Sequence, residues 1–447
     1  MIQLNYPKIS KKALLIQLGL LFFLILSIPY DTQLFQSLSN GSFFAFENWF
    51  QLATYRTSFI PESTYAGSDV RGYYNWLIAF VTAILILIGF RKFVATHWYT
   101  DQDELYYWLR VLLRYRLALA VIFTGIVKVL PLQIPEPTIS DLHTEYGDFL
   151  LWKLYYLTNG IATAGYLPVI GSLEILGGLL LLNRRTAVIG AGLLLAVLLN
   201  VVLVNYVYDI GEQVYSSFLF LIALVIFGYD WPRFYGLLIR KTSVYPDGYW
   251  PRYTRPVVLI RPYLQVLFLL ITAVFSVQAY LAWKDSNYPF PKEKGIAGLS
   301  GIYDVKDFVW KGDTLAYSLA DTLRWKDVVF EKWNTISIRG NRPAMVDSSK
   351  VRIAFSTDRN YEYIGNGGRE FFTYDHSKNK KDSTISLRLI GKIDRSSSFQ
   401  FSLDKRGADT LLLRGANQAG DSLLVRLERI DKKYLLKEGR RKPIRIY

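Results

Sequence analysis

The sequence predicts a multi-domain membrane protein: a polytopic α-helical bundle of about seven transmembrane helices, followed by an all-β extracytoplasmic domain built as a sandwich or small barrel. Three observations lead there. Of the 447 residues, 51% are hydrophobic and 16% aromatic, and mean hydropathy is +0.18, a balance found neither in average soluble domains nor in disordered chains. Seven apolar runs approach the ~20 residues that cross a bilayer as a helix. After Trp283 these runs stop and short stretches of period-two alternation begin, the mark of half-buried strands.

The seven runs are residues 13–29, 73–90, 112–132, 161–182, 187–207, 214–228 and 257–281. The first follows Lys8, Lys11 and Lys12 and ends in Ser27-Ile28-Pro29-Tyr30 without a small-x-small cleavage site, so it reads as an uncleaved signal anchor. The sixth is short, but Tyr215, Tyr229 and Trp231 flank it, and such residues suit the headgroup level. With the N-terminus inside, sixteen Lys and Arg side chains fall on the cytoplasmic side, Arg110, Arg114, Arg116 and Arg184 among them. Only Arg56, Arg71 and Lys153 fall in short outer loops. This positive-inside bias predicts a multi-pass protein of the bacterial inner membrane with a periplasmic C-terminal domain.

In that domain strands are expected over residues 301–310, 327–333, 335–339, 351–356, 370–374, 384–390, 399–403, 410–414 and 423–430. The turn signals Lys311-Gly312-Asp313, Gly365-Asn366-Gly367-Gly368 and Gly415-Ala416-Asn417 separate them. Pro289 and Pro291 mark residues 285–294 as a stiff linker. Residues 285–447 carry 31 basic and 21 acidic side chains, so 31 − 21 = +10 of the net +15 lies here. The tail is steeper: Lys432, Lys433, Lys437, Arg440, Arg441, Lys442 and Arg445 against Glu438. An outward-facing domain has no nucleic acid to meet. The tail is therefore read as solvated or as drawn to anionic headgroups. The domains divide as an N-terminal helix pair with its outer loop (1–105), a four-helix membrane core (106–235), a cytoplasmic loop with the seventh helix (236–284), and the β domain with its basic tail (285–447). Residues 295–447 are enough for a core of their own.

Composition also removes chemistries. There is no cysteine, hence no thiolate nucleophile, Fe–S ligand or CxxC pair in the chain. None of His97, His143 and His376 lies in an apolar run, which rules out a membrane haem held by two histidines. Walker loops, GxGxxG before a helix, GxSxG and HExxH are missing.

Ionisable groups inside spans are costly and usually face the bundle interior. Lys128 lies five helical turns after Arg110, with Arg114 close to the same line, so that helix has a face polar at both ends. Glu174 stands between Gly171 and Gly178 on one face, where small residues allow a close helix approach. Asn200, Asn205, Asp209 and Glu212 follow on the next helix. Arg110, Arg114, Lys128, Glu174, Asn200, Asn205, Asp209 and Glu212 are therefore the candidate ligand-binding set, a polar lane opening outward. The alternative is a structural ion pair between Lys128 and Glu174 or Asp209. Asp141, His143 and Glu145 with Asp209 and Glu212 have the donors of a metal site, yet a solvated acidic loop is favoured, and no metal is assigned.

The segment from Arg114 to Arg233 resembles the DoxX family of small four-helix membrane proteins. The likeness rests on Arg116-Leu-Ala-Leu-Ala leading to Gly125-Ile-Val-Lys128-Val-Leu-Pro131, then Gly171-Ser-Leu-Glu174-Ile-Leu-Gly177-Gly178 and the two spans that follow. With extra helices in front and a β domain headed by Gly301-Ile-Tyr-Asp-Val-Lys-Asp-Phe, the whole looks like the longer Bacteroidetes-type members. Their expected aromatic and histidine ending is replaced here by Lys437-Glu-Gly-Arg440-Arg-Lys-Pro. The resemblance implies a DoxX-like four-helix core linked in some members to quinone or thiosulfate oxidation and in others to oxidative-stress complexes with thiol partners. The bundle is also similar to the membrane part of vitamin-K-dependent carboxylase-like proteins. The expectation is an accessory or anchoring component of a respiratory or envelope complex, with a quinone or other lipid-soluble ligand in the core and a periplasmic protein partner or ligand on the β domain. The alternative is a membrane enzyme relaying protons through Lys128, Glu174 and Asp209.

Overall fold

In the computed structural model the apolar runs are helices and the alternating stretches are strands. The structure describes residues 11–29, 35–36, 39, 46–60, 69–89, 102–161, 165–243, 251, 255–284, 288–349, 359–378 and 384–438. The expected strand at 351–356 and the tail cations Arg440, Arg441, Lys442 and Arg445 lie outside them. Two units result, one of residues 1–133 and 164–284, the other of residues 134–163 and 285–447.

The first unit is helical: α1 (Lys11–Ser27), α2 (Phe46–Ala53), α3 (Tyr73–Gly89), α4 (Gln102–Val129), α7 (Tyr166–Leu182), α8 (Ala187–Val207), α9 (Gln213–Gly228) and α10 (Arg255–Lys284); the numbers α5 and α6 belong to the second unit. Central to it is α4, which packs on α7 most extensively and also on α1, α2, α9 and α10. Leu113, Leu117, Ala118, Ala120, Val121 and Val127 bury its core faces. α10 is the opposite case, since only Phe275 and Ala279 are buried and its remaining apolar side chains lie largely open.

By length and composition fewer helices qualify as spans than the seven expected. Among the described residues three helices are long and apolar enough to cross a membrane: residues 70–89, α8 and α10. A fourth is added if α9 and residues 231–239, bent by 59°, count as one span. The reasons are local. α1 and α7 have 17 residues each, and the apolar half of α4 still holds Arg114, Arg116 and Lys128.

The second unit is a β-barrel. Its strands are β1 (Gly301–Trp310), β2 (Asp313–Thr314), β3 (Trp325–Phe330), β4 (Thr335–Gly340), β5 (Glu370–Lys378), β6 (Ile385–Gly391), β7 (Ser398–Arg406), β8 (Thr410–Asn417) and β9 (Ser422–Ile430). Neighbours pair antiparallel in the order β2-β1-β3-β4-β5-β6-β7-β8-β9, and β1 also pairs with β9. Eight strands thus close into an up-and-down barrel, which removes the edges an open sandwich would leave; β2 is a two-residue appendage of β1. Inward side chains such as Tyr303, Phe308, Val328, Phe330, Phe372 and Leu427 fill the interior, as expected of eight strands. The turn expected at Gly415-Ala416-Asn417 is instead the end of β8. A Cβ on Gly415 would lie 1.8 Å from the Gln400 carbonyl oxygen, so glycine there serves a close strand approach.

Residues 134–163 complete this unit with α5 (Ile139–Leu142) and α6 (Leu151–Gly160). Phe149 bridges to Asn366, Leu150 N–H donates to the Gly365 carbonyl at 2.9 Å, and Gly367 N–H donates to the Asp148 carbonyl at 2.8 Å. The boundaries expected from sequence place this stretch in the four-helix core, whereas it clusters with the barrel. The expected stiff linker is also a packed element over its described part: the Phe290 ring stacks on Trp333 at 4.2 Å, and Lys294 bridges to Trp333.

Candidate functional site

In the helical unit the glycines of α7 set the spacing. A Cβ on Gly171 would meet the Gly125 carbonyl oxygen at 2.5 Å, and one on Gly178 would meet Ile122 at 2.6 Å, so α4 and α7 touch backbone to backbone. This contact brings Lys128 and Glu174 together. Lys128 Nζ donates to Glu174 Oε1 at 2.6 Å and Oε2 at 2.7 Å, and Thr124 Oγ1 donates to Oε2 at 3.2 Å. The Glu174 side chain is 2% exposed and that of Lys128 14%.

The other candidates do not join this pair in a lane. Arg114 donates from Nε to the Leu181 carbonyl at 2.7 Å and from a terminal nitrogen to that of Leu182 at 2.8 Å, a cation on the last carbonyls of α7, where the helix dipole favours it. Arg110 stacks over Tyr229, 3.8 Å from the ring centre, and faces Asp230 at 3.5 Å. Asn200 lies on an exposed face of α8 and supplies no link between Lys128 and Asn205. Asn205 donates to the Val201 carbonyl at 2.8 Å and accepts from Glu212 N–H at 3.2 Å. Glu212 pairs with Arg56 at 2.8 Å. Asp209, exposed and at φ 49°, accepts from Gln213 at 2.9 Å. The outward lane is corrected to separate groups, because the buried stripe of α8 is Gly190, Ala191, Leu194, Leu198 and Asn205 and leaves Asn200 outside it.

Arg116 needs a further correction. Counted from sequence as a cytoplasmic cation, it is buried in mid-helix and donates to the Ala53 carbonyl at 2.9 Å and that of Tyr55 at 2.5 Å. It thereby caps α2, and its guanidinium lies 6.0 Å from the Tyr215 ring, as does that of Arg56. Next to these groups a cleft opens between Leu26, Arg56, Asn75, Trp76, Tyr215 and Phe218. It is apolar along α1, α3 and α9 and polar at Arg56 and Asn75.

In the second unit the outward faces of β3 and β4 carry Asp327, Thr335 and Ser337, all buried, although alternation predicts a solvated face there. Residues 134–163 and 359–369 supply their partners. Glu331 Oε1 accepts from Ser140 N–H at 2.8 Å and from Ser140 Oγ at 2.6 Å. Arg369 donates to Ser337 Oγ at 2.7 Å and to the His143 carbonyl at 3.1 Å, and pairs with Asp327. Lys153 donates to the Tyr361 carbonyl at 2.6 Å and faces Asp141 at 3.8 Å. Glu362 takes Trp333, Thr335 and Lys392. His143 Nε2 is 2.7 Å from the Tyr434 hydroxyl, and Glu145 pairs with Arg339.

Burial governs the ionisation of this network. Loss of water pushes the Glu331 carboxyl up to about 7, against the pull of its Ser140 donors. Burial, reinforced by Lys432 and Arg369, lowers His143 to about 4. Burial also lowers Lys153, with Asp141 and Glu362 opposing. Among the described residues no three His, Asp or Glu side chains stand where they could hold one metal ion. Asp141, His143 and Glu145 each have their own partner instead. Sequence reading missed Glu331, Glu362 and Arg369, since nothing local distinguishes a covered outward face from a wet one.

No protein-family profile matches the chain, and no solved structure matches it. Over 72 residues the chain is 39% identical to the uncharacterized protein YwoB of Bacillus subtilis (strain 168), a match that covers 16% of this chain and 47% of YwoB. The chain thus spans about half the length of that curated relative.

Proposed function

We propose that the protein is an integral inner-membrane anchor that presents a β-barrel on the periplasmic side, an accessory component of a respiratory or envelope complex. The barrel unit recruits a soluble partner, and the helical unit takes up a quinone or another lipid-soluble ligand. The observation that carries this reading is the use of the buried charges. Lys128 and Glu174 close on each other, and Arg114 and Arg116 hold helix ends, while at the surface the half-exposed Arg56 holds Glu212. These are the contacts of a scaffold, and Asp209, exposed beside Gln213, gives a proton relay no next step. The ligand belongs in the cleft of Trp76, Phe218 and Tyr215, whose polar end is Arg56, the mix of apolar walls and few polar groups that small ligands use.

Parity supports this topology. Residues 134–163 and the barrel form one folded unit, which favours one side of the membrane for both. The chain between them crosses an even number of times. α8, the bent α9 segment and α10 make three crossings, and α7, roughly 25 Å long at 1.5 Å per residue, makes the fourth. With α1, α3 and α4 the count returns to seven, N-terminus inside. Single cysteines test it in a chain that has none. Glu136→Cys and Ser396→Cys are expected to react with an impermeant maleimide in spheroplasts, and Arg185→Cys only after the membrane is opened. Labelling of Glu136→Cys and Ser396→Cys from opposite sides overturns the topology. Native mass spectrometry from lipid nanodiscs tests the ligand: quinone bound to the wild type and lost in Trp76→Ala is the expected result, and equal occupancy in both rejects the cleft.

A further inference from the structure

In the second unit the side chains of Lys153 and Asp141 face each other with no exposure to solvent, yet they make a poor salt bridge. Lys153 Nζ and Asp141 Oδ1 stand 3.8 Å apart, beyond hydrogen-bond reach, and two charges taken out of water without a hydrogen bond between them do not recover their desolvation. The partners of the individual atoms are more telling. Nζ donates to the Tyr361 carbonyl at 2.6 Å, and Oδ2 accepts from Thr138 N–H at 3.0 Å. Oδ1 is buried and has no hydrogen-bond partner. The surroundings are aromatic and closed. The centre of the Tyr361 ring lies 3.8 Å from Nζ and that of Trp152 5.9 Å from it. Main chain at Gly365 covers them, since a Cβ there would meet the Trp152 ring at 2.6 Å and Lys153 Cβ at 3.2 Å.

We propose that Lys153 and Asp141 become joined by an isopeptide bond that the folded chain makes for itself. Nζ attacks Cγ of Asp141 as a nucleophile. The bond from Nζ to Cγ forms, the bond from Cγ to Oδ1 breaks, and Oδ1 leaves as water with two of the three ammonium protons. The opposite charges cancel in the step, so no co-reactant is required. Each polar atom that stays already has its partner: the amide N–H keeps the Tyr361 carbonyl, and the amide oxygen, the present Oδ2, keeps Thr138 N–H. The atom that leaves is the one without a partner. An ordinary ion pair would instead bring Oδ1 onto Nζ. Burial prepares the nucleophile, because it lowers Lys153 and so favours the free amine. Holding amine and carboxyl in one closed site supplies the effective concentration that amide formation lacks in water. The product closes residues 141–153 into a ring and ties α5 to α6. The site lies wholly in the second unit and rests on neither the topology nor the helical cleft proposed above.

The test is the mass of the full chain, purified in detergent and measured under denaturing conditions. The expected value is that of the sequence less one water. Trypsin should fail to cut after Lys153, and chymotrypsin, cutting inside the ring at Tyr146 or Phe149, should leave the two halves joined as one species. Joined halves distinguish the crosslink from a cyclic imide at Asp141, which loses the same water but lets the halves part. Lys153→Arg keeps the cation and removes the nucleophile, and Asp141→Ala removes the acceptor. Both should return the full mass and let the halves separate. The decision rests on the wild-type chain, so a variant that folds poorly does not suspend it. A wild type at the full mass of its sequence, a water lost at another site, or halves that part on cleavage overturns the bond.

Discussion

Lys128 and Glu174 show how two costly residues become tolerable at one place. Either charge alone in a bilayer costs ~2.5–3.5 kcal/mol on insertion scales, and removing one partner of a buried pair leaves the other uncompensated. Lys128→Met and Glu174→Gln are each expected to lower stability in detergent by about 3 kcal/mol, and the double variant by clearly less than the sum. A thermal double-mutant cycle checks it, and losses additive within ~0.5 kcal/mol would mean that the pair does not interact. Glu331 and His143 act in opposite senses. The folded carboxyl of Glu331 is raised from 4.5 to about 7, so its contribution is full below pH 4.5 and is lost as pH rises through 7. His143 is lowered from 6.5 to about 4, so its contribution is full above pH 6.5 and is lost as pH falls through 4. Between pH 4.5 and 6.5 the two slopes cancel and the wild type should unfold at a nearly constant temperature. Glu331→Gln should then show stability rising with pH, and His143→Gln stability falling with pH, each by up to about 3 kcal/mol across its window. Melting curves at half-unit steps of pH, read on barrel circular dichroism, would expose a wrong sign at once.

At the scale of elements, the contact between α4 and α7 depends on atoms that are missing. Gly171 and Gly125 each face the other's carbonyl oxygen, at Cβ distances of 2.5 and 2.6 Å, and Gly177 faces Leu194 of α8 at 2.6 Å. Gly171→Ala must push α4 and α7 apart, a cost of about 1–3 kcal/mol by the logic of overpacking. Gly228, at the end of α9 with nothing within 4 Å of a built Cβ, should accept alanine without loss. Comparing the melting temperatures of the two variants decides the point, and equal values would remove the close helix contact. The spacing of Gly171, Glu174 and Gly178 on one face was legible in the sequence because a helix repeats every 3.6 residues. The anchoring of α2 by Arg116 was not, because its acceptors are main-chain carbonyls, which have no signature in sequence.

For the molecule as a whole, the division into units differs from the division along the chain. The outward side chains of β3 and β4 rely on residues 134–163, which leave the helical unit between α4 and α7. A fragment of residues 288–447 is therefore expected to fold with lowered stability, because Glu331 and Arg369 lose Ser140 and the His143 carbonyl. Addition of a peptide of residues 134–163 should raise its melting temperature by several degrees, and a fragment as stable alone as with the peptide would count against the clasp.

Eight of the nine expected strands were readable, from residues 301–310 to 423–430, because a pleated strand with one wet and one dry face writes its period into adjacent residues. The helices were readable for the same reason, as local runs of apolar residues. Closure of the sheet through β1 and β9, the number of helices long enough to cross a membrane and the burial of Asp327 and Ser337 were not. Each depends on which distant segment covers a face: Leu427 pairs with Val305, and Ser140 sits on Glu331. Pairings at such separations leave no periodic trace, since a side chain that is to meet a distant partner looks, in its own neighbourhood, like one that meets water.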